Sequence, residues 1–123
     1  MNVLVVEDEP KIQALFQARF ENRGHQVFTA DSGEAAVATL SQQQIQLVIT
    51  DWSIKGQITR GDLLAEIKRL VPQTPVIVVT GYSDSEANEY MKLGASGFMQ
   101  KPINLTEFDE LVQKICPSYQ LAS

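Results

Sequence analysis

Three carboxylates, a hydroxyl and an ammonium stand where this sequence makes chemistry easy to arrange. Glu7 and Asp8 follow the apolar run Asn2 to Val6, Asp51 follows Leu47-Val48-Ile49-Thr50, Thr80 closes Val76 to Val79, and Lys101 lies just past Ala95 to Met99. Singly, each has an ordinary role: Asp51 as the start of a turn, Glu7 to Glu9 as complements of a helix dipole, Thr80 as the end of a strand. Gathered in one crevice they have a different one. Each carboxylate pair at ~4 Å and an effective dielectric of ~20 costs about 4 kcal/mol before screening, so cations must compensate. Lys101 supplies one charge, and oxygen ligands without His or Cys select a hard ion such as Mg2+. Carboxylates, Mg2+, a lysine and a hydroxyl suit phosphoryl transfer, with Asp51 as the nucleophile. There is no glycine-rich phosphate loop and no GKS or GKT sequence, so no nucleotide donor is expected.

For these residues to meet, the runs before them must be parallel strands ending at one edge. Leu47 to Ile49 and Val76 to Val79 are apolar without alternation, as suits strands covered on both faces. Between the runs lie helical patterns: Ile12, Leu15, Phe16 and Phe20; Ala35, Ala36, Val37 and Leu40; Leu63, Leu64, Ile67, Leu70 and Val71. Pro10 and Ser32-Gly33-Glu34 open the first two. His25 to Thr29 reads as the second strand and Ala95 to Met99 as the fifth. The pairs Ser83 with Glu86 and Asn104 with Glu107 read as capping boxes for the last two helices. The helix from Ser83 has only Ala87, Tyr90 and Met91 to bury, whereas Leu105, Phe108, Leu111, Val112 and Ile115 face inward from the last. Strict alternation of strand and helix predicts a doubly wound α/β fold with a parallel five-stranded sheet in the order 2-1-3-4-5.

With 123 residues and 44% hydrophobic content, the chain is expected to form one domain over residues 1–116, with 117–123 a frayed tail. No apolar run approaches the ~20 residues that cross a bilayer, and Met1 to Leu4 does not resemble a signal peptide, so a cytoplasmic protein is expected. The net charge of −5 and the scattered Lys and Arg residues argue against direct nucleic-acid binding. His25 has no Cys or second His nearby and reads as structural, and Cys116 reads as buried.

The four motifs Val5-Val6-Glu7-Asp8-Glu9-Pro10, Val48-Ile49-Thr50-Asp51-Trp52, Val78-Val79-Thr80-Gly81 and Gly97-Phe98-Met99-Gln100-Lys101-Pro102 together resemble the receiver domains of two-component response regulators, over residues 2 to 116. The resemblance implies a flavodoxin-like (βα)5 fold that catalyses only its own phosphorylation and dephosphorylation. It implies that Glu7 and Asp8, with Asp51 and the backbone carbonyl of Ser53, hold Mg2+. It further implies that Asp51 takes a phosphoryl group from a sensor histidine kinase or a histidine phosphotransfer protein. Thr80 and Lys101 would contact the phosphoryl oxygens, Phe98 would switch with Thr80, and the Lys101-Pro102 bond would be cis.

The chain departs from the family pattern after Asp51, where Ile54-Lys55 replaces the usual Met-Pro and the loop to Gly61 is about two residues longer. Lys55 reads as a solvated loop charge, with contact to the phosphoryl edge or the kinase as the alternative. Ser53 and Tyr82 occupy positions that tune phosphoryl lifetime in the family, and bulky Tyr82 is expected to slow hydrolysis. The thinly packed helix from Ser83 to Leu93, the fifth strand and the last helix are expected to form an output surface for a downstream protein. The alternative is a pseudo-receiver, a binding module without phosphorylation. A haloacid-dehalogenase-like phosphatase would want an aspartate where Ser53 stands.

Overall fold

The computed structural model describes residues 1–58, 60–81 and 87–119. Five strands and five helices alternate along it: β1 (Asn2–Val6), α1 (Pro10–Glu21), β2 (Gln26–Ala30), α2 (Gly33–Gln42), β3 (Leu47–Asp51), α3 (Arg60–Leu70), β4 (Val76–Thr80), α4 (Ala87–Lys92), β5 (Gly97–Gln100) and α5 (Leu105–Ile115). The strands form one parallel sheet in the order β2-β1-β3-β4-β5, as expected.

Every residue of β3 and β4 is buried, which is why both read as unbroken apolar runs. Alternate strand residues point to opposite faces and build two cores. Val3, Val5, Leu47, Ile49, Ile77 and Val79 pack with Phe16 and Phe20 of α1 and Phe108 and Val112 of α5. On the other face Leu4, Val6, Val48, Val76 and Val78 pack with α2, α3 and Tyr90 of α4. Helix starts follow local chemistry. Pro10 occupies the first turn of α1, the Ser32 hydroxyl accepts the Ala35 N–H at 3.1 Å, and the Asn104 side chain accepts the Glu107 N–H at 3.0 Å. The Lys101-Pro102 peptide is cis. Among the described residues, no helix is long and apolar enough to cross a membrane.

Five expectations need correction. Strand β2 begins at Gln26 rather than His25, and β5 covers Gly97–Gln100 rather than starting at Ala95, because the Ala95 N–H is still bonded back to Tyr90 of α4 and the chain first reaches β4 through the Ser96 N–H. Leu15 is 39% exposed, since the two phenylalanines of α1 already fill the space above the sheet. The expected tail of 117–123 is ordered at its start, where the chain turns back after α5 and buries Tyr119 completely, and 120–123 lie outside the described residues. In α4, Tyr90 is buried as expected but Met91, one step further round the helix, is 48% exposed. The Ser83–Glu86 pair lies outside the described residues.

Candidate functional site

Parallel register brings the chemistry to one edge. Val6 pairs with Thr50, Asp51 with Val79 and Thr80 with Gln100, so Glu7, Asp51, Thr80 and Lys101 emerge at the same level. Backbone bonds hold the strand exits: Glu7 N–H to the Ala30 carbonyl at 2.9 Å, Trp52 N–H to Val79 at 2.8 Å and Lys101 N–H to Thr80 at 2.7 Å.

Glu7, Asp8 and Asp51 each offer a carboxylate oxygen within 4.8 Å of the other two. Lys101 Nζ lies 3.2 Å from Asp51 Oδ2 and 3.5 Å from Glu7 Oε1. The second contact is an ion pair without a hydrogen bond, and Glu7 Oε1 is buried without a hydrogen-bond donor. Glu7 Oε2 accepts the N–H groups of Asp8 at 2.9 Å and Glu9 at 3.2 Å. Asp51 Oδ1 accepts the Ser53 N–H at 3.1 Å, so each Asp51 oxygen is aimed by one donor and keeps a lone pair for other work.

The electrostatics follow from this crowding. Burial, reinforced by the charge of Asp51, pushes the Glu7 carboxyl up to about 7, despite the opposing backbone hydrogen bond and Lys101. Burial works against the Lys101 ammonium, but Asp51 and Glu7 outweigh it and hold its pKa above the usual lysine value. One ammonium thus faces two nearly buried carboxylates, with Asp8 on the more open side. A small divalent cation bound by oxygen fits this donor set: three carboxylates, no His or Cys, and a buried Glu7 oxygen still lacking a hydrogen bond.

The expected residues therefore fall into two groups. Glu7, Asp8, Asp51 and Lys101 come together directly, and Ser53 adjoins them through its backbone while remaining exposed. Thr80 is 1% exposed at the end of the neighbouring strand, where its hydroxyl accepts from the Tyr90 hydroxyl at 3.3 Å. Phe98 is half-buried, its ring 6.0 Å from that of Tyr90. Tyr82 lies outside the described residues. Lys55 is exposed on the loop after Asp51.

Two residues beside the site escape the sequence reading. Tyr90 was legible only as an inward-facing ring; nothing in its spacing shows that it meets Thr80 and packs 4.5 Å from Trp52. Glu34 was legible only as a residue opening α2, yet its carboxylate binds the loop that leaves Asp51.

The sequence matches the family described as the response regulator receiver domain over residues 3–115. It is 30% identical over 122 residues to the nitrogen assimilation regulatory protein NtrX of Azorhizobium caulinodans, covering 98% of this chain and 27% of NtrX. The chain spans about a quarter of the length of the curated relatives it matches. Among solved structures, the receiver domain of NtrX from Brucella abortus superposes with a TM-score of 0.82 at 29% identity, covering 98% of this chain and 99% of that one. The response regulator TrrA of Thermotoga maritima, solved in complex with Mg(2+)-BeF, gives 0.81 at 29% identity, covering 93% and 97%. Fold, strand-end register and the match from residue 3 to 115 agree, and this chain belongs to the receiver-domain family of two-component response regulators.

Proposed function

We propose that this receiver accepts a phosphoryl group on Asp51 from a phosphohistidine of a sensor histidine kinase or a histidine phosphotransfer protein. Glu7, Asp8 and Asp51, with the backbone carbonyl of Ser53, hold Mg2+ for the reaction. The observation that carries this reading is Lys101 Nζ, set between Asp51 Oδ2 at 3.2 Å and Glu7 Oε1 at 3.5 Å beside a third carboxylate. A structural salt bridge needs one carboxylate, and burying two beside a more open third is costly without a purpose. The TrrA complex with Mg(2+)-BeF gives the reading further support.

Bound Mg2+ supplies positive charge that offsets the negative charge gathering on phosphoryl oxygens during transfer. The chain's own residues do the rest. An Asp51 oxygen attacks phosphorus in line as the P–N bond to the donor imidazole breaks; the nitrogen keeps the electron pair and is reprotonated. Lys101 turns its ammonium from Asp51 toward a phosphoryl oxygen, and Thr80 donates its hydroxyl proton to another. Hydrolysis reverses the change when water attacks phosphorus and releases phosphate. Ser53 and Tyr82 govern how water reaches that bond, and Phe98 moves with Thr80.

Output runs through protein contacts on the face formed by α4, β5 and α5. A cleft of about 380 Å³ lined by Phe98, Met99, Gln100, Glu107 and Leu111 opens between β5 and α5, and Met91 of α4 is exposed. The compartment this function implies is the cytoplasm.

The test is incubation with Mg2+ and acetyl phosphate, followed by intact mass measurement and peptide mapping, with Asp51→Ala as control. One Mg2+-dependent phosphoryl group on Asp51, absent from the control, is the expected result. An unmodified wild-type chain would instead favour the pseudo-receiver reading.

A further inference from the structure

The loop after Asp51, where the chain departs most from the family pattern, is fastened to a different element. Glu34, in the first turn of α2, accepts the backbone N–H of Gln57 at 2.5 Å and of Ile58 at 2.8 Å through Oε1. The Gly33 N–H donates to the Lys55 carbonyl at 3.3 Å. The two surfaces meet so closely that side chains are excluded on both sides. A Cβ at Gly33 would lie 1.8 Å from the Ile58 carbonyl oxygen, and one at Gly56 would lie 2.3 Å from Glu34 Oε2. Gly56 also has φ of +116°, a conformation that favours glycine. Gln57 and Ile58 therefore have their N–H groups satisfied by one carboxylate, although they belong to neither helix nor sheet.

We propose that Glu34 is a positioning residue for the site at Asp51: by seating residues 55–58 on the start of α2, it fixes the course of the main chain through Ser53. The inference rests on the phosphoryl-acceptor reading, in which the Ser53 carbonyl serves Mg2+. The segment between the strand and the clamp is short. Its entry is held by the Trp52 N–H bonded to Val79, and Trp52 and Ile54 are buried on either side of exposed Ser53. Its exit is held by Glu34 and the Gly33–Lys55 bond. A main-chain carbonyl serves a small cation well only when its direction is set beforehand, because Mg2+ tolerates little departure from octahedral geometry. Hydrogen bonds from Ile58 and Gln57 also hold the Glu34 carboxyl below the usual glutamate value, so the clamp is ionised at neutral pH. The extra length of this loop is thus compatible with an ordered site, because the added residues carry their own attachment.

Glu34 is exposed, so Glu34→Ala folds, and residue-resolved amide exchange reads the clamp directly. The expected result is faster exchange at Gln57 and Ile58, by roughly tenfold, with the Trp52 amide still protected. Titration of Mg2+ against Trp52 fluorescence then gives a dissociation constant raised about tenfold, the low end of what groups supporting a metal ligand contribute. Gly33→Ala, which pushes the loop away sterically and leaves the carboxylate intact, moves both readouts the same way. Unchanged exchange at Gln57 and Ile58 in Glu34→Ala, or faster exchange with unaltered Mg2+ affinity, overturns the inference. Wild-type protein that binds no Mg2+ overturns the phosphoryl-acceptor reading itself, a result visible before any variant is compared.

Discussion

Glu7 is held in a position that no isolated carboxylate would adopt: 1% exposed, one oxygen without a hydrogen bond, and facing Asp51. A shift from 4.5 to about 7 corresponds to about 3 kcal/mol of penalty on its charged form. Replacing it by glutamine keeps an oxygen for the backbone N–H groups of Asp8 and Glu9 and turns an amide toward Asp51. Glu7→Gln is therefore expected to raise stability without added Mg2+ by about 1–3 kcal/mol, a melting temperature higher by roughly 3–10 °C. Added Mg2+ should stabilise the variant less than the wild type. Thermal melts with and without Mg2+ check both, and an equal or lower melting temperature for the variant contradicts the strain assigned to Glu7. This residue, with Asp8, Asp51, Thr80 and Lys101, was readable in the sequence because each follows an apolar run. A parallel sheet converts the end of a run into a place at one edge. What spacing could not supply is orientation, such as Lys101 bridging Asp51 and Glu7.

At the scale of elements, α4 was legible as the thinnest helix, but not as the one carrying an aromatic bridge. Tyr90 packs its ring 4.5 Å from Trp52 and 6.0 Å from Phe98, and its hydroxyl donates to Thr80 at 3.3 Å. The helix thereby touches the residue after β3, the hydroxyl at the end of β4 and the aromatic of β5. Helical periodicity can show that residue 90 points inward; which hydroxyl it meets depends on β3, β4 and β5 lying side by side. Tyr90→Phe keeps the ring and removes the donor. Stability should fall by about 0.5–1.5 kcal/mol. If the Tyr90 donor orients the Thr80 hydroxyl toward phosphoryl oxygens, phosphorylation by acetyl phosphate should slow by roughly twofold to tenfold, the rate equivalent of that energy. A Trp52 fluorescence time course measures it, and an unchanged rate would detach Tyr90 from the chemistry. The strands show the same division: β3 and β4, buried on both faces, were legible almost to the residue, whereas β5, introduced by small residues, was read two positions early.

For the whole molecule, the decisive contacts join segments about ninety residues apart. Asp109 of α5 accepts hydrogen bonds from Arg19 of α1 at 3.1 Å through Nε and also through Nη2, from Arg23 at 3.3 Å, and from the Tyr119 hydroxyl at 2.6 Å. The Tyr119 ring meets Phe20 edge-on at 5.5 Å, stacks on His25 at 5.7 Å and lies under the Arg23 guanidinium. No local pattern announces this, because a tyrosine four residues past a helix looks like tail until α1, α5 and the turn before β2 are assembled around it. Burial opposes ionisation of Asp109, but the hydrogen bonds from Arg19 and Tyr119 and the arginine charges prevail, holding its pKa below 3.8. A carboxyl depressed in the fold binds fewer protons there than in the unfolded chain, so its stabilisation is complete above the unfolded value and disappears as pH falls through the folded one. Asp109→Asn should cost about 2–3 kcal/mol near neutrality, less than a fully buried pair because Arg19 is 27% exposed, and the gap to wild type should narrow below about pH 4. Tyr119 separates packing from hydrogen bonding within the same cluster. Tyr119→Phe should lose about 1–2 kcal/mol, the worth of a hydrogen bond to a charged acceptor. Tyr119→Ala should lose about 3–5 kcal/mol, because it empties a fully buried site shared with Phe20 and His25. Against a total of about 5–15 kcal/mol for a domain of this size, the larger loss is a substantial part of the stability. Urea denaturation of the three proteins gives the order directly, and a Tyr119→Ala midpoint equal to wild type would contradict the packing of Tyr119 against Phe20 and His25.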